Sequence, residues 1–461
     1  MKLYIKPYCI FALVFSAFLL LGSCKKYLDK KSDSSLIVPS SLSDMQALLD
    51  GASVMNQQRT PCYGEVSSDE YFISPTNFKT FNDGDQKRYT WQYYFFGTGN
   101  DWSACYQPVY YSNLVLDLLT TIPVNNYNKQ QWENVKGSAL FYRSYYFLCL
   151  LWNYAKAYDS ISADKDLGIA LRLTSNFNVP STRSNNRECY QQIINDVKSA
   201  IPLLPDYPQH VFRPSKEAAY GLLARCFLSM RDYGNALKYA DSSLQLNNQL
   251  MDLNGDDEIP TGITASYPFM KFNKETIFYT EMNTYYILYA TSYKARIDTV
   301  LYNTFSDNDL RKIAYFTTNN DGYQQFKGSY AQSSTCFSGI AVDEMYLTRA
   351  ECLIRNGNVE EGLSDLNILL EKRYKEGTFI SYTGLSQQEA LNLILQEREK
   401  ELVMRGLRWM DLKRLNKEGA NIVLKRVTED KEYTLLPNSN FYALPIPEDI
   451  IQLTGMPQND L

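Results

Sequence analysis

The chain has 461 residues, long enough for a large core and more than one lobe, and is rich in aromatics, with 37 tyrosines and 22 phenylalanines. Its 46 Lys and Arg against 51 Asp and Glu leave a net charge of −5, which provides no basic footprint for nucleic acid. A single histidine, His210, argues against Ser-His or Cys-His nucleophilic chemistry and against a histidine-based metal site.

The chain opens with Lys2 and Lys6, then an apolar run from Cys9 to Leu21 that is too short for a membrane span. Leu21-Gly22-Ser23-Cys24 follows and looks like a lipobox, with small side chains beside the scissile bond and a thiol to receive lipid. Residues 1–23 therefore read as a lipoprotein signal peptide, with Cys24 as the lipidated first residue of the mature protein. The polar stretch 24–41 reads as a tether, and residues 42–461 as one domain beginning with a helix over 42–49. No later run is long and apolar enough to span a bilayer.

Residues 63–100 are dense in rings, interleaved with Asp, Asn and Gly and without helical period, so they read as loop with short extended pieces. Trp91, Tyr71 and Phe78 are candidate platforms for a ligand, with Asp69, Asn77 and Arg88 as hydrogen-bonding groups. Helical spacing begins at Asp101 and returns over Trp132–Tyr154 and Cys189–Leu204, where Pro205 ends it. The second irregular, ring-rich stretch, 248–332, is long for an insertion between helices, and Tyr267, Tyr285 and Tyr286 are its candidates. Asp252 to Glu258 places oxygen ligands at alternate positions, like the start of a calcium loop, but Gly is missing at the sixth place and Ile263 holds the twelfth. It reads as a solvated acidic turn, and neither metal nor cofactor is expected.

Val342 to Leu370 is two helices joined at Asn356-Gly357-Asn358, with Gly357 supplying positive φ and Ala350 and Gly362 permitting close approach. The stretch 219–237 repeats it: an offset of 126 residues relates Ala224 to Ala350 and Cys226 to Cys352. The pattern looks like tetratricopeptide (TPR) hairpins, and each such hairpin needs neighbours to bury its second face. The expected fold is mainly α, a scaffold of TPR-like hairpins with an inserted loop-rich lobe. Glu397, Glu399 and Glu401 alternate with Arg398 and Lys400, which reads as structural ion pairing; Glu397 with Glu401, and Arg408 with Asp411, lie one helical turn apart.

Glu397-Arg398, Glu401-Leu402, Gly406, Arg408, Asp411-Leu412 and Arg414, followed by Pro445-Ile446-Pro447 and Gln458-Asn459, resemble the C-terminal blocks of the SusD/RagB family of outer-membrane nutrient-binding lipoproteins from Bacteroidota. Trp91, Trp102, Tyr106 and Asn113 also fit. The resemblance implies a non-enzymatic, surface-exposed lid over a SusC-like TonB-dependent transporter barrel, one that captures an oligosaccharide and passes it to the pore. Peptide capture by the same architecture, or a surface glycoside hydrolase, are the alternatives. The family's blocks are mainly scaffold, so Cys24 as lipidation site is the one residue carried over. Cys24→Ala is expected to abolish metabolic labelling with a fatty-acid analogue; a variant that still labels would contradict the assignment.

Overall fold

A computed structural model describes residues 39–94, 100–283, 294–429 and 431–460. The expected signal peptide (residues 1–23), Cys24, Tyr285 and Tyr286 lie outside the described residues.

The elements in chain order begin with α1 (Leu42–Leu49), α2 (Ala52–Met55), α3 (Tyr63–Ser67), β1 (Tyr71–Ile73), α4 (Pro75–Phe78) and α5 (Asp83–Tyr89). Five long helices follow: α6 (Asp101–Leu119), α7 (Lys129–Tyr154), α8 (Asn186–Ala200), α9 (Lys216–Met230) and α10 (Tyr233–Leu246). The irregular lobe holds β2 (Thr276–Phe278), β3 (Ala295–Ile297), α11 (Thr299–Asn303), α12 (Arg311–Ala314), β4 (Phe316–Thr318), β5 (Gln324–Phe326) and β6 (Ile340–Ala341). The chain closes with α13 (Val342–Arg355), α14 (Val359–Glu371), α15 (Gln387–Glu401), α16 (Arg408–Lys417), the β7 (Leu424–Val427) and β8 (Glu432–Leu435) hairpin, and α17 (Glu448–Thr454). Among the described residues no helix is long and apolar enough to cross a membrane.

The two hairpins anticipated from the repeat are present and share their turn chemistry. Arg231 and Gly357, related by the 126-residue offset, both take positive φ, at 63° and 91°. Asp232 and Asn358 then cap the second helix of each pair, with the Asp232 side chain accepting from the Asn235 backbone N–H at 3.1 Å. Close approach is strict at Gly362, where a Cβ would lie 2.8 Å from the Ala350 carbonyl oxygen and 2.6 Å from Ile354 Cγ1. Helix α10 packs against α13, so the hairpins adjoin although the irregular lobe separates them in sequence. Helices α6, α7, α8 and α9 continue the stack, each against the next.

Residues 63–100 depart from the expected loop, because α3, α4 and α5 occupy much of the stretch. Ser74 and Asn82 cap the last two by accepting from the backbone N–H of Asn77 and Asp85. Helices of four to seven residues span at most two turns and leave no period to detect.

The acidic-basic run at the end of α15 is buried, and its partners are distant. Arg311 sits at 0% exposure and donates to Asp309 (2.7 and 2.9 Å), Glu397 (2.6 Å) and Glu401 (2.9 Å). Arg373 donates to Glu401 and Glu275, both at 2.8 Å, and Lys400 bridges Asp309 and Glu397. Arg405 is bidentate on Asp343, and Arg414 on Glu351. Arg408 does not pair with Asp411. It reaches Asp69 and Glu399, while Asp411 accepts from Arg398 and Arg414. The reason is position: Arg408 begins α16, beside the loop that carries Asp69, and Asp411 faces back toward α15.

Among the described residues, Cys62, Cys105, Cys149, Cys189, Cys226 and Cys352 are buried free thiols, behaving as small apolar side chains.

Arg311→Met is expected to lower unfolding stability by about 3–5 kcal/mol, since Asp309, Glu397 and Glu401 each lose one of two buried cationic partners. Urea denaturation checks this; an unchanged midpoint would mean that these charges are solvated.

Candidate functional site

The two ring-rich stretches meet. Strand β1 pairs antiparallel with β3, Tyr71 opposite Ile297 and Ile73 opposite Ala295, and the Asp298 N–H donates to the Glu70 carbonyl. Asp101, at the start of α6, ties the junction. Its carboxylate accepts from the backbone N–H of Cys62 and Tyr63, each at 2.8 Å, and from Asn283 Nδ2 at 2.9 Å. Burial raises the Asp101 pKa, and these hydrogen bonds offset part of that rise.

Most of the expected platform rings turn inward at this junction. Period-2 alternation in β1 buries Tyr71 and Ile73 and turns Phe72 outward. Tyr71 is 1% exposed and Trp91 8%; Arg426 lies over the rings of Tyr71, Tyr89 and Trp91, with 4.4 to 5.3 Å to their centroids. The same guanidinium donates to the carbonyls of Tyr71 and Ser68, and Trp91 Nε1–H donates to the Ser67 carbonyl at 3.0 Å. Phe78 is buried against Phe81 and Tyr89. Arg88 is buried on Asp85, with the rings of Tyr63 and Tyr94 each 4.4 Å away. As ligand contacts, Tyr71, Phe78, Trp91 and Arg88 are therefore corrected to core residues, because an internal arginine and neighbouring rings already cover their faces.

The other candidates lie nearer the surface. Asp69 is half-buried and held by Arg408 at 2.7 and 2.9 Å. Asn77 is half-buried in the single turn of α4, and Tyr267 is half-buried among turns. The exposed rings of the junction are ones that sequence reasoning passed over. Tyr323, 43% exposed in the β4–β5 connection, meets Phe72 edge to face at 5.1 Å. Beside them Arg296 holds Asp321 at 2.7 Å, and Lys294 Nζ donates to Thr80 Oγ1 at 2.8 Å. Rings flanked by charged and hydroxyl groups suit a sugar, whose C–H face stacks and whose hydroxyls bond.

The carboxylate clusters are committed to other partners. Glu275, Asp343 and Glu401 have ligand oxygens within 4.8 Å of one another, but Arg373 and Arg405 supply the positive charge there. Burial is the larger effect on Glu275, pushing it up to about 7 despite Arg373. In the acidic turn, Asp252 pairs with Lys372 and Asp256 with Lys274.

Residues 224–460 match the family model described as "SusD family", and residues 26–228 match one described as "Starch-binding associating with outer membrane". No curated protein matches the chain. Among solved structures, a SusD superfamily protein from Bacteroides thetaiotaomicron is 19% identical, with 91% of this chain and 100% of that chain covered and a TM-score of 0.75. A SusD superfamily protein from Bacteroides fragilis is 19% identical, with 91% and 99% covered and a TM-score of 0.72. A SusD-like carbohydrate binding protein from Bacteroides vulgatus is 20% identical, with 90% and 97% covered and a TM-score of 0.67. At these identities the likeness establishes the fold.

One buried pair beneath the junction has a pH signature. Glu65 and Glu70 are each 1% exposed; Glu70 accepts from the Met404 N–H at 2.7 Å and Glu65 from the Gly406 N–H at 3.1 Å. Burial first, then the Glu65 charge, hold Glu70 well above the usual carboxylate range. A folded pKa above the unfolded one means stability is full below the unfolded value and falls as pH rises through the folded value. Glu70→Gln cannot titrate, so its melting temperature is expected to gain on that of the wild type as pH rises from 5 to 9. Parallel profiles in thermal unfolding would contradict the raised pKa of Glu70.

Proposed function

Because the chain belongs to the SusD family, with family models matching residues 26–228 and 224–460, we propose that it is a non-enzymatic, cell-surface lipoprotein that captures oligosaccharides. In this reading lipid on Cys24 anchors it to the outer membrane, residues 24–41 are the tether, and residues 42–461 form the binding domain. It hands its ligand to a SusC-like TonB-dependent transporter barrel.

The observation that carries the reading is the family match along almost the whole chain. The exposed Tyr323 on half-buried Phe72, with charged and hydroxyl groups nearby, supports sugar as the ligand class. One solved relative is a SusD-like carbohydrate binding protein, which points the same way. A hydrolase would need two carboxylates roughly 5–10 Å apart beside a sugar and available to it. Asp69 is bidentate with Arg408, and Glu70 is sealed against Glu65 and Met404, which supports binding over hydrolysis.

Affinity capture of the tagged protein from its own outer membrane in mild detergent, followed by mass spectrometry, tests the reading. A large TonB-dependent barrel is expected to co-purify together with oligosaccharide. A barrel carrying peptides would overturn the ligand class, and capture of the protein alone would overturn the transporter role.

A further inference from the structure

A cleft of about 330 Å³ lies between α6, the 170–181 segment and α17, apart from the junction described above. That volume falls at the lower end of small-ligand sites, roughly 300–1,000 Å³. Trp102 and Tyr106 line it with ring centroids 5.0 Å apart, and Val109, Ile450 and Met456 add aliphatic walls. Phe177 is 78% exposed, and its ring stacks on Tyr110 at 4.9 Å and 22°.

The segment carrying Phe177 is tied down on both sides. Asp117 accepts from the Ser175 N–H (2.8 Å), the Ser175 hydroxyl (2.7 Å) and the Thr174 hydroxyl (3.2 Å). Asn113 Nδ2 donates to the Arg172 carbonyl at 2.7 Å, and the Arg172 guanidinium donates to the carbonyls of Asn176 and Val179. An exposed phenylalanine on so firmly bonded a segment, above a concave apolar surface, marks a preformed binding site.

The lining also selects the ligand. Tyr106 spends its hydroxyl on the Ala170 carbonyl at 2.7 Å, and Asn113 is bonded to Arg172 and Arg143, so the walls that remain are mainly apolar. A ring hydroxyl pressed against them would be left without a hydrogen-bond partner. An acetamido group in place of one ring hydroxyl puts a methyl on those walls instead, and the sugar's remaining polar groups stay toward Arg172 and Ser181. We propose that this cleft binds an N-acetylated hexose unit, its ring C–H face on the Tyr110–Phe177 pair and its acetamido methyl against Val109, Ile450 and Met456. The Arg172 and Ser181 side of the cleft then faces the polar ring edge. This rests on the oligosaccharide reading and gives it a second site and a preferred residue.

The test is calorimetric titration of the mature chain with N,N′-diacetylchitobiose and with cellobiose, which share linkage and length and differ in acetamido against hydroxyl. Saturable binding of the first, at least about tenfold tighter than the second, is expected. Phe177→Ala should weaken it about tenfold or more with no change in melting temperature, since the ring is exposed, and Tyr323→Ala should leave it unchanged. Equal affinity for the two disaccharides, or an unaffected Phe177→Ala, would overturn the cleft proposal. Loss in Tyr323→Ala alone would place the sugar at the junction, defeating the cleft while keeping the oligosaccharide reading. Binding of neither disaccharide would also overturn the cleft, and the membrane capture experiment would decide the broader reading separately.

Discussion

The interaction on which the rest of the structure depends is the buried charge network at the turn from α15 to α16. Glu397, Arg398, Lys400, Glu401, Arg405, Arg408, Asp411 and Arg414 lie within 18 residues; Arg398 and Asp411 pair with each other, and the other six pair across the fold. Their partners come from the Asp69 loop, from Asp309 and Arg311 of the irregular lobe, from Arg373, and from Asp343 and Glu351 of α13. Replacing such charges by apolar groups of equal volume is often neutral, so their value lies in specificity of arrangement. Any slip of the irregular lobe against the helices would strand an ion in a dry interior. One short stretch thereby sets the register between scaffold and lobe.

That register positions the surfaces assigned to ligand. Arg408 fixes the Asp69 loop, and Arg426 fills the space beneath Tyr71, Tyr89 and Trp91. With its neighbours bound inward, β1 turns Phe72 out to meet Tyr323. On the other side, the tail closes the cleft. Gln458 exchanges two hydrogen bonds with the Ile446 backbone, and Asn459 donates to the carbonyls of Tyr154 and Leu444. These bonds hold the segment that includes Ile450 and Met456 against α6.

The sequence made the helical scaffold legible because its signals are local and repeat. The 126-residue offset predicted matched turns, and Arg231 and Gly357 both adopt positive φ. Ion pairing in α15 was legible as composition, but its burial and its reach to Asp309 and Arg311 were not, since those partners lie some 90 residues earlier. The same limit misdirected the ring assignments. Tyr71 and Trp91 read as open platforms because Arg426, which covers them, lies more than 300 residues downstream. The cleft was missed for want of a local cue joining Tyr110 to Phe177. A signal existed in Asn176-Phe177-Asn178, a large ring alone among turn formers, where no core position is expected.

Scaffold, hub and exposed rings together describe preformed surfaces on which the proposed oligosaccharide ligand rests. The most direct test is a glycan microarray probed with residues 24–461 carrying Cys24→Ser, alongside a peptide array of matched density. The account predicts saturable binding confined to oligosaccharides. Binding confined to peptides would contradict it.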